Sequence, residues 1–171
     1  LTHNELQILA DTDNINPEIK RYFLFACNTG LRISDIKRLK WENIKGNHIE
    51  FRQKKTNEDN YIPLNETAIK QLYIDSKILN LPENYVFNLP SDLTINSSLK
   101  RWAKKAGINK KVTSHVARHT FATISLTYGG DIYTVSKLLG HTDIKNTQRY
   151  AKVIDAVREK TVNAIPSIRI S

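Results

Sequence analysis

The sequence is poor in the features that place a protein outside the cell or in a membrane. It contains one cysteine among 171 residues, so no disulfide can form within the chain. No apolar stretch approaches the roughly 20 residues that a membrane-spanning helix requires. We therefore expect a cytoplasmic protein with no membrane partner. The cysteine, Cys27, lies in the apolar run RYFLFACN, where a buried structural thiol is expected.

Motifs for metals and nucleotides are also missing. The histidines lack the H-E-x-x-H spacing, there is no C-x-x-C pair, and the acidic residues do not cluster as in a two-metal nuclease. There is neither a glycine-rich nucleotide loop nor a G-x-S-x-G elbow. We expect no metal and no other cofactor, so any chemistry on a phosphodiester would have to use cationic side chains.

Negative charge is scarce in the second half of the chain. Residues 1–99 hold 12 Lys and Arg against 13 Asp and Glu, a net charge of −1, whereas residues 100–171 hold 14 against 4, a net charge of +10. This division indicates one face built for a polyanion, although a solvated basic surface explains the charge alone about equally well. No basic amphipathic helix favours a membrane surface, so nucleic acid is the better hypothesis.

Hydrophobic periodicity and capping signals predict one mainly helical (α+β) domain, residues 1–171, with a small antiparallel sheet inserted early. The predicted N-caps are Thr2 (in a capping box with Glu5), Asn16, Ser34 and Asn65. The predicted helices cover residues 3–11, 17–29, 34 to beyond 39, 65–77, 94–106, 114–128, 131–139, 143–150 and 152–163. Three strands are predicted in WENI, HIEFRQ and NYIPL, with Gly46-Asn47 as one turn and the polar run 54–59 as the other connection.

The residues best suited to an anion are His115 and Arg118. Their i, i+3 spacing places both on one face near a helix N-terminus, where free N–H groups also favour negative charge. The arginine offers a fork of donors for two phosphate oxygens, and the histidine can donate to a third or move a proton. The alternative is a histidine that caps its own helix beside a surface arginine. The adjacent His119 is expected to point elsewhere and receives no role.

His141 and Tyr150 are the other candidates. His141 directly follows Gly140, where a helix ends, and a histidine there can simply satisfy helix-end carbonyls. Tyr150 has Lys145, Arg149 and Lys152 nearby, a setting that favours a phenolate, although amphipathic packing explains most single tyrosines.

Taken together, the motifs resemble the catalytic domain of the tyrosine recombinases, the phage integrase family. NTGLRISDIKRLKW is similar to the first arginine motif of that family, SHVARHTFAT to its H-x-x-R-H motif, and LLGH to the motif nine residues before the family's tyrosine. The run RQKKTNEDNYIPL resembles a hairpin with a catalytic lysine, which points to Lys55, with Lys54 as the alternative. The matched positions, in order, are Arg32 (with Asp35 close behind), Lys55, His115, Arg118, His141 and Tyr150.

This resemblance implies a site-specific recombinase. Arg32 and Arg118 would hold the scissile phosphate while Tyr150 attacks it, which leaves a 3′-phosphotyrosyl enzyme and a free 5′-hydroxyl. Lys55 would protonate the leaving oxygen, and His115 would accept the tyrosine proton. His141 would donate a hydrogen bond to the phosphate. The covalent link would let a second strand reseal without metal or ATP.

Double-stranded DNA is the implied partner, held by four protomers that are monomers when free and associated with the nucleoid when on DNA. Its backbone would be held by Lys37, Arg38, Arg52, Lys54, Lys100, Arg101, Lys104, Lys105, Lys110 and Lys111. We expect a fragment without the N-terminal domain of the family, and a tail, residues 156–171, that docks on a neighbouring protomer or on its own domain. The rival functions are type IB topoisomerase and a DNA-binding regulator of the same fold.

Overall fold

The computed structural model describes residues 1–13, 16–52, 59–73, 84–141, 143, 145–148, 150, 162–163 and 165–166. The predicted lysines at 54 and 55 therefore lie outside the described residues, as do the predicted helix segments 74–77 and 152–161. No helix within these ranges is long and apolar enough to cross a membrane.

Eight α-helices and one 3-10 turn are found in the described ranges. The helices are α1 (His3–Asp11), α2 (Pro17–Thr29), α3 (Ile33–Ile36), α4 (Glu66–Leu72), α5 (Asp92–Lys105), α6 (Ser114–Thr127), α7 (Ile132–Leu138) and α8 (Lys145–Gln148). The mainly helical prediction is confirmed. The capping box of Thr2 and Glu5 is present, and the Asn16 side chain accepts a hydrogen bond from the backbone N–H of Ile19 at 3.1 Å.

The small sheet has three antiparallel strands in the order β1 (Ile44–Lys45), β2 (His48–Arg52) and β3 (Asp59–Pro63). Ile49 of β2 lies opposite Ile62 of β3, and both side chains are buried. The predicted first strand was wrong over most of its length, because Trp41–Asn43 forms a 3-10 turn that the Asn43 side chain closes on the backbone N–H of Lys40.

The start of α3 also differs from the prediction. Its N-cap is Arg32, two residues before the expected Ser34, and the helix ends at Ile36, so that the buried Leu39 follows it. No side chain caps this short helix. Its position immediately after α2 leaves Arg32 at a chain reversal, between Gly30 and the first helical turn.

Helix α2 lies at the centre of the fold, and its residues from Ile19 to Cys27 are buried, apart from the half-buried Lys20. It packs against α4 on one side and α6 on another. The ring of Phe23 meets Trp102 of α5 edge to face at 5.9 Å between centroids. The expected burial of Cys27 is confirmed. This packing fixes α6 relative to the turn after α2.

A second, smaller hydrophobic cluster joins α6 and α7. Its buried members are Ala122, Leu126, Val135 and Leu139, and the ring of Tyr150 packs against them. The carbonyl groups that follow α7 thereby lie close to the first turns of α6.

Candidate active site

Arg118 is the most buried of the candidate residues, with 8% of its surface exposed. Its Nη1 donates to the carbonyl oxygen of Gly30 at 2.7 Å, and its Nη2 donates to the carbonyl oxygen of Leu139. Burial, and then the nearby charge of Arg32, lower the pKa of this guanidinium to about 10. The side chain is therefore still cationic at neutral pH and is held from two sides by the main chain.

Gly30 has a specific part in this arrangement. Its φ of 68° lies in the left-handed region, which turns its carbonyl toward Arg118 at the end of α2. A Cβ at this position would lie 2.6 Å from Cδ1 of Phe121 and 3.1 Å from Cδ2 of Leu139. Both the backbone conformation and the close packing therefore require glycine here.

Arg32 approaches the same region from the other side. Its Nη2 donates to the carbonyl oxygen of Gly140 at 3.2 Å, and its Nη1 lies 4.0 Å from a carboxylate oxygen of the buried Asp35. The two arginines thus donate to consecutive carbonyls, those of Leu139 and Gly140. The segment after α7 holds both guanidinium groups close together, which concentrates positive charge.

A cavity of about 550 Å³ opens beside this pair of arginines. Arg32, His115 and Arg118, three of the residues predicted for the site, contribute to its wall. Ser114 begins α6 at the same wall. The side-chain oxygen of Asn96 accepts from its backbone N–H at 2.9 Å, which fixes the helix start from the neighbouring α5.

Asp92 was not predicted as part of the site, yet it lines the same cavity. Its carboxylate forms an ion pair with Nζ of Lys37 at 2.6 Å. Lys37, one of the residues expected to hold DNA, is therefore at the rim of the cavity in a pair with an acidic side chain.

His141 is oriented by a buried hydroxyl group. Its Nδ1 shares a hydrogen bond of 2.8 Å with Oγ1 of Thr147, whose surface is completely buried. No motif in the sequence pointed to Thr147, since a threonine six residues after a histidine has no typical meaning.

The expectation for His119 was wrong. Its Nδ1 lies 2.5 Å from the hydroxyl oxygen of Tyr150, and its ring meets that of His115 edge to face with centroids 4.4 Å apart. Because His119 directly follows Arg118, its side chain was expected to point away from the helix face that carries His115 and Arg118. The relevant spacing is i, i+4 from His115, which places the two imidazoles on one helix face.

The predicted DNA-binding residues fall into two groups. Lys105 donates to the carbonyl oxygen of Asp13 at 3.0 Å and Lys110 pairs with Glu5 at 2.8 Å, so both have contacts within the fold. The others, apart from Lys37 and Lys54 discussed above, lie exposed: Arg38, Arg52, Lys100, Arg101, Lys104 and Lys111. Arg38 and Arg52 share a second pocket of about 370 Å³ between α3 and the sheet.

No group of three or more His, Cys, Asp or Glu side chains that could hold a metal ion occurs in the parts of the chain that the structure describes. What the described residues bring together is two guanidinium groups, three imidazoles and a phenol, around one cavity and the end of α7. The site is therefore a cationic cavity in a mainly helical domain, with a tyrosine hydroxyl within electrostatic reach of Arg118.

Known proteins are similar to this chain in both sequence and fold. The model of the phage integrase family matches residues 1–156, and the chain belongs to that family. Tyrosine recombinase XerA of Saccharolobus solfataricus is 36% identical over 145 residues, which cover 82% of this chain and 48% of that protein. The chain spans about half the length of the curated relatives that it matches.

Two solved structures show the same fold. A XerA recombinase superposes with a TM-score of 0.79 at 29% identity, and covers 98% of this chain and 65% of its own. The catalytic domain of bacteriophage HP1 integrase gives a TM-score of 0.70 at 24% identity, over 97% of this chain and 94% of that one. The predicted recombinase-type fold is therefore confirmed.

Proposed function

We propose that this chain is the catalytic domain of a site-specific DNA recombinase that cuts and rejoins strands through Tyr150. One observation carries the proposal: two arginines, fixed by consecutive main-chain carbonyls, line a cavity, and a tyrosine whose hydroxyl contacts an imidazole lies within electrostatic reach of Arg118. A phosphodiester is the anion that makes use of all three groups.

Each of these groups has a role in the proposed reaction. Arg32 and Arg118 bind the non-bridging oxygens and stabilise the extra negative charge of the pentacoordinate transition state. The Tyr150 oxygen attacks phosphorus, the bond to the 5′-oxygen breaks, and a 3′-phosphotyrosyl link forms. An imidazole of α6 takes the phenolic proton, and His141, oriented by Thr147, donates to the phosphate. The leaving 5′-oxygen takes a proton from Lys55.

The basic second half supports double-stranded DNA as the partner. Lys100, Arg101 and Lys104 lie exposed on α5, in the same helix whose first turn borders the cavity. Such contacts position the backbone and weaken with salt. The relatives reported above are named tyrosine recombinases and an integrase. The proposal further includes four protomers acting together on the DNA, in the cytoplasm.

A nicked suicide substrate tests the function. Cleavage near the nick releases a short strand that diffuses away, so an active protein is trapped as a covalent complex that denaturing gels resolve. We expect capture without added metal or ATP, and none by Tyr150→Phe, which should still bind the same duplex. Capture by Tyr150→Phe would refute the assignment of the nucleophile.

The rival functions give different products. Relaxation of a supercoiled plasmid without any site preference would favour a topoisomerase. Binding without capture by the unaltered protein would favour a DNA-binding regulator.

A further inference from the structure

His119 makes a short polar contact with Tyr150, the proposed nucleophile. Nδ1 of His119 and the hydroxyl oxygen of Tyr150 are 2.5 Å apart, a distance at the short end for a hydrogen bond from a hydroxyl group. The two rings stand edge to face at 5.8 Å between centroids. At this distance the ring nitrogen either accepts a hydrogen bond from the hydroxyl group or donates one to it.

We infer that His119 is the catalytic residue that holds Tyr150 for attack and takes its proton, with its own N–H on Nε2 so that Nδ1 accepts. The inference rests on the proposed function and assigns to His119 the proton transfer that the resemblance implies for His115.

The imidazoles of His115 and His119 have different surroundings, which suit them to different roles. His115 is exposed and lines the cavity with Arg32 and Arg118, on the side where a phosphate would bind. His119 is half-buried one turn later and contacts the tyrosine. The rings of the two histidines meet edge to face at 4.4 Å, an arrangement that limits how far the His119 ring can turn.

The tyrosine is also held in place from its other side. Its ring packs against the cluster of Ala122, Leu126, Val135 and Leu139, so the phenol cannot leave His119 without losing this apolar contact. Arg118 is close enough to interact electrostatically with Tyr150. The guanidinium therefore favours the negative charge that develops on the phenol as its proton moves to His119.

The proton balance is simple. In cleavage, the proton moves from the Tyr150 oxygen to Nδ1 of His119 as the oxygen–phosphorus bond forms and the bond from phosphorus to the 5′-oxygen breaks. The 5′-oxygen takes its proton from a separate acid, Lys55 in the proposed function. In rejoining, the imidazolium of His119 returns the proton to the departing tyrosine oxygen, so one residue serves both directions.

Three variants test this step in single-turnover capture of the suicide substrate. We expect His119→Ala to lower the rate about 100-fold or more, the usual effect of removing a general base, with unchanged duplex binding. His119→Asn offers an amide oxygen in place of Nδ1 that can accept a hydrogen bond but not a proton, so it should stay slow. His3→Ala, a histidine on α1 that contacts Tyr128, serves as control and should react normally.

A more acidic phenol separates proton transfer from mere support of the ring. Replacing Tyr150 with 3,5-difluorotyrosine should recover at least tenfold of the loss in His119→Ala, because the phenol then needs less help to ionise. Normal rates in His119→Ala or full rescue by His119→Asn would overturn the inference. Faster capture by His119→Ala would also overturn it, since the contact would then hold the tyrosine in an idle position.

A measurement on the DNA-free protein does not depend on cleavage. In the ¹⁵N spectrum of labelled histidine, we expect His119 to show the neutral form with N–H on Nε2, and Tyr150→Phe to shift its Nδ1 resonance while leaving that of His3 in place. An unchanged His119 resonance would refute the contact. If the resonance shifts but the unaltered protein captures no DNA, the contact stands and the proposed function fails.

Discussion

Two arginines of this protein are almost equally buried and have opposite uses. Arg21, in the middle of α2, is 1% exposed, and Arg118, on α6, is 8% exposed. Arg21 forms an ion pair with Glu18 at 2.8 Å, donates to the carbonyls of Gln71 and Val86, and lies over the ring of Phe87. Its charge is neutralised and its donors are used inside the fold.

Arg118 differs in what opposes its charge. It too donates to two carbonyls, but no carboxylate among the described residues is hydrogen-bonded to it, and its neighbours include the second guanidinium, that of Arg32. A buried charge is costly unless opposite charge lies near it. The Asp35 carboxylate supplies part of that charge to Arg118, and a bound anion would supply more. Carbonyl contacts of similar kind therefore hold a structural ion pair around Arg21 and, in the proposed function, position Arg118 for an anion.

The largest effect is expected at Arg21. Arg21→Met would leave the carboxylate of Glu18 buried without its partner, so the free energy of unfolding should fall by about 3–5 kcal/mol. Cleavage per folded molecule should not change. Chemical denaturation measures the free energy of unfolding, and capture of the suicide substrate at low temperature measures cleavage per folded molecule. Glu18→Gln combined with Arg21→Met keeps the acceptor for the backbone N–H of Asn88 and should regain part of the loss.

Arg118→Lys should show the reverse pattern. A lysine keeps the charge but cannot donate to both carbonyls and to two phosphate oxygens, so cleavage should fall by about 10²–10³-fold, as for the loss of one transition-state donor. The unfolding free energy should change far less than in Arg21→Met. Arg21→Lys is the matched control, and the comparison fails if it loses activity while Arg118→Lys does not.

Gly30→Ala examines how the carbonyl reaches Arg118. A non-glycine residue at this φ costs about 1–2 kcal/mol, and the added Cβ also meets Phe121 at 2.6 Å. We expect lower stability together with at least tenfold slower cleavage. Gly107→Ala is the control, since its φ is 71° with no atom within 4 Å of a Cβ, and it should lose stability alone. Equal behaviour of both variants would show that the Gly30 contact does not position Arg118.

The smallest of these effects is expected at Thr147. Thr147→Val removes the hydroxyl that orients His141 and keeps the shape of the side chain, so about 1 kcal/mol of hydrogen bonding is lost. Cleavage should slow by about five- to tenfold with little change in thermal stability. Thr147→Ser, which keeps the hydroxyl, should retain most of the activity. Equal cleavage rates of Thr147→Val and Thr147→Ser would show that the Thr147 hydroxyl does not contribute to the site.

Much of the fold was predictable because local signals decide it. The capping box at Thr2, the Asn16-Pro17 start of α2 and the glycine at its end all act within a few residues. The 3-10 turn at Trp41–Asn43 was missed, since its pattern of apolar and polar residues fits a short strand equally well. Only the hydrogen bond from the backbone N–H of Lys40 to the Asn43 side chain distinguishes the 3-10 turn from a strand, and that bond depends on the path of the chain.

In the site, residue types were predictable and contacts were not. The H-x-x-R spacing predicted that His115 and Arg118 share a helix face, and both line the cavity. The contact of His119 was missed because its partner, Tyr150, lies 31 residues away and is brought near by the packing of α6 against α7. Asp92 and Thr147 were also missed, because nothing local links them to the site. The catalytic roles assigned to Arg32, Lys55, His115, Arg118, His141 and Tyr150 all stay predictions.

The central claim is that Tyr150 becomes covalently joined to DNA. The most direct test is mass spectrometry of the trapped complex after nuclease and protease digestion. We predict a single nucleotide adduct on the peptide that contains Tyr150, attached through a 3′-phosphate. An adduct on another residue, or one attached through a 5′-phosphate, would contradict the account.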